Sequence, residues 1–184
     1  MNIGMNWGIR GERWSAARLA ERSAARPAAP VVPAVSADVA VTRRVAAPAD
    51  VVWHVLTDWP AQNTWMPLTR VRVLGLGDGR EVGARLEAWT GLGRAGFLDT
   101  MILTAWDPPH RCEVLHTGTL VRGPGVFSVR ALGADAAEVR WEEQLDLPFG
   151  AAGRFGWPLV RPAVRLGLGV ALRRFARFVE RLPR

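Results

Sequence analysis

The sequence predicts an α+β domain: a curved antiparallel sheet of about seven strands wrapped on a long C-terminal helix, with two short helices after the first strand. Three observations carry this. From Trp157 to Leu182, Val160, Val164, Leu168, Ala171, Phe175, Phe178 and Leu182 recur at steps of three and four. At roughly 100° per residue they share an arc of about 80°, which is one apolar stripe of a helix. Before it runs a series of segments with period-two alternation, separated by Gly- and Pro-rich turns, the pattern of consecutive antiparallel strands. Between the first of these and the rest, Ala47-Pro-Ala-Asp50 has the proline and the early acid of a helix start.

Each element follows in order. Residues 1–38 are Ala-, Pro- and Arg-rich, and the prolines of Arg26-Pro-Ala-Ala-Pro-Val-Val-Pro33 rule out a regular helix there, so a disordered or loosely attached tail is expected, followed by one domain over 39–184. Val39–Val45 alternates as a strand. Val52, Val55, Leu56 and Trp59 form the buried face of the first helix, which Trp59-Pro60 ends, and Ala61–Met66 reads as a second short helix or turn. Strands are expected over Arg70–Leu76, Val82–Trp89, Phe97–Trp106, Arg111–Thr117, Leu120–Ala131 and Val139–Leu147. Gly91–Gly96 reads as a loop, and Gly123-Pro-Gly125 as a bulge. Pro158 suits the first turn of the final helix, and Pro162 marks a kink or the helix's proper start.

Composition narrows the function classes. The chain of 184 residues is 49% hydrophobic, enough for a core, and its one cysteine excludes an internal disulfide, which fits a reducing compartment. No run approaches the roughly 18 apolar residues of a membrane span, and the N-terminus lacks the apolar stretch of a signal peptide, so a cytoplasmic protein is expected. The net charge of +7 rests entirely on arginine, with no lysine present. Arg154–Arg184 holds eight arginines and one acid (8 − 1 = +7), and the other 153 residues balance. The charge is thus one helix face, not a nucleic-acid surface. Arg161, Arg165, Arg173 and Arg177 are a solvated face or a contact for an anionic membrane or an acidic protein.

No nucleophile–base pair or phosphate-binding glycine loop is visible, and no cofactor is expected. Cys112 and His116 share a strand face but stand about 13 Å apart, too far for one metal ion. Glu143 interrupts the inward row Val139, Trp141, Leu145. An unpartnered buried carboxylate is costly, so Glu143 is paired with an arginine such as Arg122, is turned outward by a register break, or is a pocket acid that binds a ligand or moves a proton. His116 faces inward as well, two strands away, at roughly 10 Å. The two are expected to touch one ligand without touching each other. A curved sheet closed by one helix leaves a cavity where side chains are small, and Leu86, His116, Phe127, Trp141 and Glu143 are expected to bound it.

Ala47-Pro-x-x-x-Val-Trp53-x-x-Leu-Thr-Asp58, Trp65-x-Pro67, Trp106-Asp-Pro-Pro109, the strand ending Leu147-Pro148 and the long last helix resemble the helix-grip superfamily of START-related and Bet v 1-like (SRPBCC) proteins. Within it they resemble the polyketide cyclase/dehydrase and lipid-transport group. The resemblance covers about Val39–Leu182, and its motifs are structural. It implies an apolar cavity between sheet and helix that takes a hydrophobic small molecule, with Trp65 at its mouth. Three functions follow as expectations. The first is binding or carrying a lipid or polyketide-like molecule. The second is a cyclase, aromatase or dehydratase using Glu143 or His116 for proton transfer. The third is an adaptor that docks through the basic helix.

Overall fold

Seven strands form one antiparallel sheet in the order β1-β7-β6-β5-β4-β3-β2. The computed structural model describes residues 39–145 and 150–183, with the side chains of 150–154 left aside. The expected tail over 1–38, and Leu147-Pro148, lie outside the described residues. The strands are β1 (Val39–Val45), β2 (Thr69–Leu74), β3 (Arg85–Leu92), β4 (Ala95–Asp107), β5 (Arg111–Thr117), β6 (Arg122–Gly133) and β7 (Ala136–Glu143). The helices are α1 (Ala49–Leu56), a 3-10 turn at Pro60–Thr64, and α2 (Gly150–Val179). The fold is the helix-grip arrangement: a half-barrel sheet whose inner face holds the last helix.

The core follows the alternation. Val45, Leu86, Met101, Leu103, Cys112, Val114, Phe127, Val129, Val139 and Trp141 are buried on the strands, and Ala171, Leu172, Phe175, Ala176 and Val179 are buried on α2. Val52, Trp53 and Leu56 bury the inner face of α1. Trp106 lies between Trp53 and Trp59, with ring centroids 5.2 and 6.5 Å away. The Trp59 indole donates to the Gly79 carbonyl at 2.9 Å. Gly79 has φ +74°, and a Cβ there would stand 2.9 Å from Val73 and 3.0 Å from Trp59. Only glycine lets that turn approach the tryptophan.

Several sequence expectations need correction. Val82 is exposed and precedes β3, because Gly83 turns the chain at φ +90° before the alternation begins. Gly91–Gly96 is not an open loop: Gly91 and Leu92 pair with Gly96 and Ala95 in a tight hairpin. Gly123-Pro-Gly125 is no bulge, since β6 stays in register with β5 through it; the shift in β6 lies between Ala131 and Gly133. β7 ends at Glu143. The last helix starts at Gly150, so both prolines lie inside it. Pro158 and Pro162 are exposed, and water there can satisfy the carbonyls that lose their amide partners.

The helical stripe is buried only in its second half. Phe175 is wholly buried and meets Trp65 edge-on at 5.0 Å, whereas Val160 is exposed and Val164 and Leu168 are half-buried. Among the described residues no helix is long and apolar enough to cross a membrane. Phe175→Ala should cost about 3–5 kcal/mol and Arg177→Ala, on the exposed side, within about half a kcal/mol of nothing. Urea unfolding of both variants checks the assignment of the buried face, which is wrong if the two losses are alike.

Candidate functional site

The pleat turns every second residue of β4, β5 and β7 towards α2. On β4 these are Phe97, Asp99, Met101 and Leu103; on β5, Cys112, Val114 and His116; on β7, Val139, Trp141 and Glu143. Asp99, His116 and Glu143 are the polar members of these rows, and they meet. His116 Nδ1 lies 2.7 Å from Asp99 Oδ2, and its Nε2 lies 3.2 Å from Glu143 Oε2. The Trp141 indole donates to Glu143 Oε1 at 2.5 Å. All three ionisable side chains are buried, with 6–8% of their surface exposed.

The backbone of β6 explains the meeting. Gly125 pairs with Glu143 on one side and Val114 on the other, and Gly123 pairs with His116. Across ordinary strands the side chains of His116 and Glu143 would be kept apart by the residue between them. Here that residue has no side chain. A Cβ on Gly125 would stand 2.8 Å from Glu143 Oε2 and 2.9 Å from His116 Nε2. The expected separation of roughly 10 Å holds for strand spacing alone; the glycine gap lets the two groups reach across it. Glu143 neither turns outward nor pairs with Arg122, whose Nε donates to the Gly118 carbonyl.

Asp99 is the member that sequence reasoning misses. Its signal is present: it stands in step with Met101 and Leu103 on the inward row of β4.

Burial by itself lowers the imidazole pKa. The hydrogen bond that Nδ1–H donates to Asp99 outweighs it, together with the close contact and charge of Glu143, and His116 is pushed up from 6.5 to about 10. At neutral pH it is an imidazolium between two carboxylates. The contact to Glu143 is an ion pair off the line of a hydrogen bond, so Nε2 and Oε2 each retain an unused hydrogen-bonding position, as does Asp99 Oδ1. The Cys112 thiol is pushed up to about 12 by burial and is inert as a nucleophile.

The three groups face a cavity of about 470 Å³. Leu86, His116, Phe127, Trp141 and Glu143 all line it, with Met66, Val71, Met101 and Val114. Val164, Leu168 and Ala171 of α2 form its roof. Trp65 is not among the lining residues; it is buried behind them against Phe175. Among the described residues no group of three or more His, Cys, Asp or Glu is arranged to hold a metal ion.

A half-barrel sheet gripping its last helix over a mostly apolar cavity is the SRPBCC-type helix-grip fold. The family model for polyketide cyclase / dehydrase and lipid transport matches residues 36–180, and the chain belongs to that family. The Zhui aromatase/cyclase from Streptomyces sp. R1128 is similar at 23% identity and TM-score 0.63, over 78% of this chain and 93% of that one. A protein of Thermus thermophilus is similar at 16% identity and TM-score 0.64, over 77% of this chain and 95% of that one. The di-domain ARO/CYC StfQ from the steffimycin biosynthetic pathway is similar at 19% identity and TM-score 0.60, over 78% of this chain and 45% of that one. These likenesses are of fold. No curated protein sequence matches the chain.

Two outcomes test the geometry. The folded state holds the His116 proton up to about pH 10, and the unfolded chain releases it near 6.5. The proton's contribution to stability is therefore complete below about pH 6.5 and is lost as pH rises through 10. Denaturation at pH 6.5, 7.0 and 7.5, more than a unit below the ordinary Cys112 thiol value of 9.0, should show stability falling by on the order of 1 kcal/mol per pH unit. His116→Gln should flatten that fall; an unchanged slope would place the proton elsewhere. Gly125→Ala meets side-chain ends and not backbone, so the fold should persist while His116 and Glu143 part. NMR titration should then find His116 losing its proton at a lower pH than in the parent.

Proposed function

We propose that this protein binds a hydrophobic, carbonyl-bearing small molecule of polyketide type in the cavity and moves a proton on it, as a cyclase or dehydratase does. One observation carries the reading: two carboxylates and an imidazolium are buried together in a wall that is predominantly apolar. Removing an ion from water costs several kcal/mol even when it is paired. Simple retention of an apolar ligand asks for none of these groups.

Their chemistry divides into roles. Glu143 Oε2 has an unused acceptor position at the cavity and serves as the base that takes a proton from the carbon next to a carbonyl. His116, with its pKa near 10, is a poor proton donor at pH 7 but a strong holder of negative charge. Its Nε2–H faces the oxygen onto which the electron pair moves as that proton leaves. The resulting enolate attacks a second carbonyl of the same chain, closing a carbon–carbon bond, and the proton on Glu143 returns to the new alkoxide. Asp99 holds Nδ1 and fixes the ring. Trp141 donates to Glu143 Oε1 and aims the other oxygen. The cavity volume of about 470 Å³ falls in the range usual for small-molecule sites.

Binding and carrying alone is the second reading. It is supported by the predominantly apolar lining, in which the same triad would anchor a polar group of a lipid. One variant separates the two. Glu143→Gln keeps the shape and removes the base. With a linear poly-β-ketone ester as probe, mass spectrometry should show cyclised or dehydrated product from the parent. The variant should fall by about 10²–10⁴-fold while tryptophan quenching reports binding within a few-fold. Binding with no product from either protein would leave the carrier. Loss of binding with the fold intact would make Glu143 an anchor.

A further inference from the structure

A second hollow, of about 900 Å³, lies on the other side of α2, where the helix runs along the sheet-edge strand β1. It is lined by Arg43 of β1, Arg140 of β7, and Arg161, Arg165 and Arg173 of α2, and among the described residues no acidic side chain lines it. Of the five, Arg140 alone among the described residues has a carboxylate partner, Glu142 at 2.8 Å. Arg177, which the sequence groups with the others, is not part of it.

The placement is specific. Arg161, Arg165, Gly169, Leu172 and Ala176 follow at steps of four, four, three and four, so they share one side of the helix. Leu172 and Ala176 on that side are buried against the domain. Arg161 and Arg165 therefore point back towards the domain, and Gly169 leaves room beside them. Across the groove, Arg43 stands in step with Val39, Val41 and Val45, the row of β1 that faces the helix, where the pattern asks for an apolar residue. Arg43, Arg161 and Arg165 share one groove, and like charges brought into one groove repel one another unless an anion lies between them. Their planar forks match phosphate oxygens two at a time. Val41, Pro162, Leu166 and Leu172 supply apolar contact alongside.

We infer that this groove is a binding site for a phosphate-bearing ligand with at least two negative charges, separate from the acid–base cavity. The phosphate sits among Arg43, Arg161 and Arg165, and an adjoining apolar part lies on Val41, Leu166 and Leu172. Soluble phosphate compounds and phospholipid headgroups share this chemistry.

The experiment uses the full chain and two probes: pyrophosphate, followed by calorimetry at low salt, and phosphatidylcholine vesicles with and without phosphatidic acid, followed by co-sedimentation. Pyrophosphate should bind, and binding should weaken steeply as salt rises. The double variant Arg161→Gln/Arg165→Gln should lower the affinity at least tenfold, and Arg43→Gln should lower it as well. Arg161 and Arg165 are exposed, so the melting midpoint should not move. Binding to phosphatidic-acid vesicles alone, lost in the same variants, upholds the phosphate site and makes a lipid its source. Failure to bind either probe, or binding that survives the arginine changes, overturns the inference.

Discussion

Two carboxylates and one imidazolium withdrawn from water carry a net negative charge into an apolar interior. Such a group persists only if the surrounding chain holds its members at fixed distances, because relaxation would admit water or a proton. Three strands supply that constraint. Asp99 is diagonal to His116 across the β4–β5 ladder, and Glu143 reaches His116 over the bare backbone of β6. The sheet register therefore sets the electrostatics, and the electrostatics set the charge state of His116. The Trp141 indole completes the set by occupying the Glu143 oxygen that His116 leaves free.

Much of this is legible in the residues. Alternation identifies the inward rows, and the inward rows contain His116, Trp141 and Glu143. The long amphipathic helix and the run of short strands give the architecture, and the buried part of the stripe, Ala171 and Phe175, is where the spacing places it. What fails is distance. Strand spacing separates His116 from Glu143, and only the absence of a side chain at Gly125 brings them together. A glycine in a strand reads as a break in pairing; here it is a gap in the side-chain layer. Asp99 escapes notice because it lies in a mostly apolar strand with residues of both kinds on both faces, where period two has little contrast.

The helix shows a different limit. Its stripe reads as one continuous apolar face, yet packing begins only near Ala171. Before that point the same azimuth looks over the cavity, through Val164 and Leu168. A periodic pattern records which side of a helix meets the domain. It does not record whether packed side chains or a space lies beneath. Trp65 illustrates the converse. Family resemblance puts it at the cavity mouth, and in this chain it packs against Phe175, one turn beyond the roof residue Ala171.

The ionisable groups of the cavity all stand on the sheet, while the roof is built from Val164, Gly167, Leu168 and Ala171 on the helix. Strand positions are locked by pairing on both sides, and a change there disturbs register as well as chemistry. Roof positions are aliphatic or bare, and their substitution alters volume without touching a charged group. Descendants of this sequence can thus change the volume of the cavity by drift along a single helix, while the buried polar cluster is inherited intact. Cavity volume and buried charge are written on separate parts of the chain and are free to evolve at different rates.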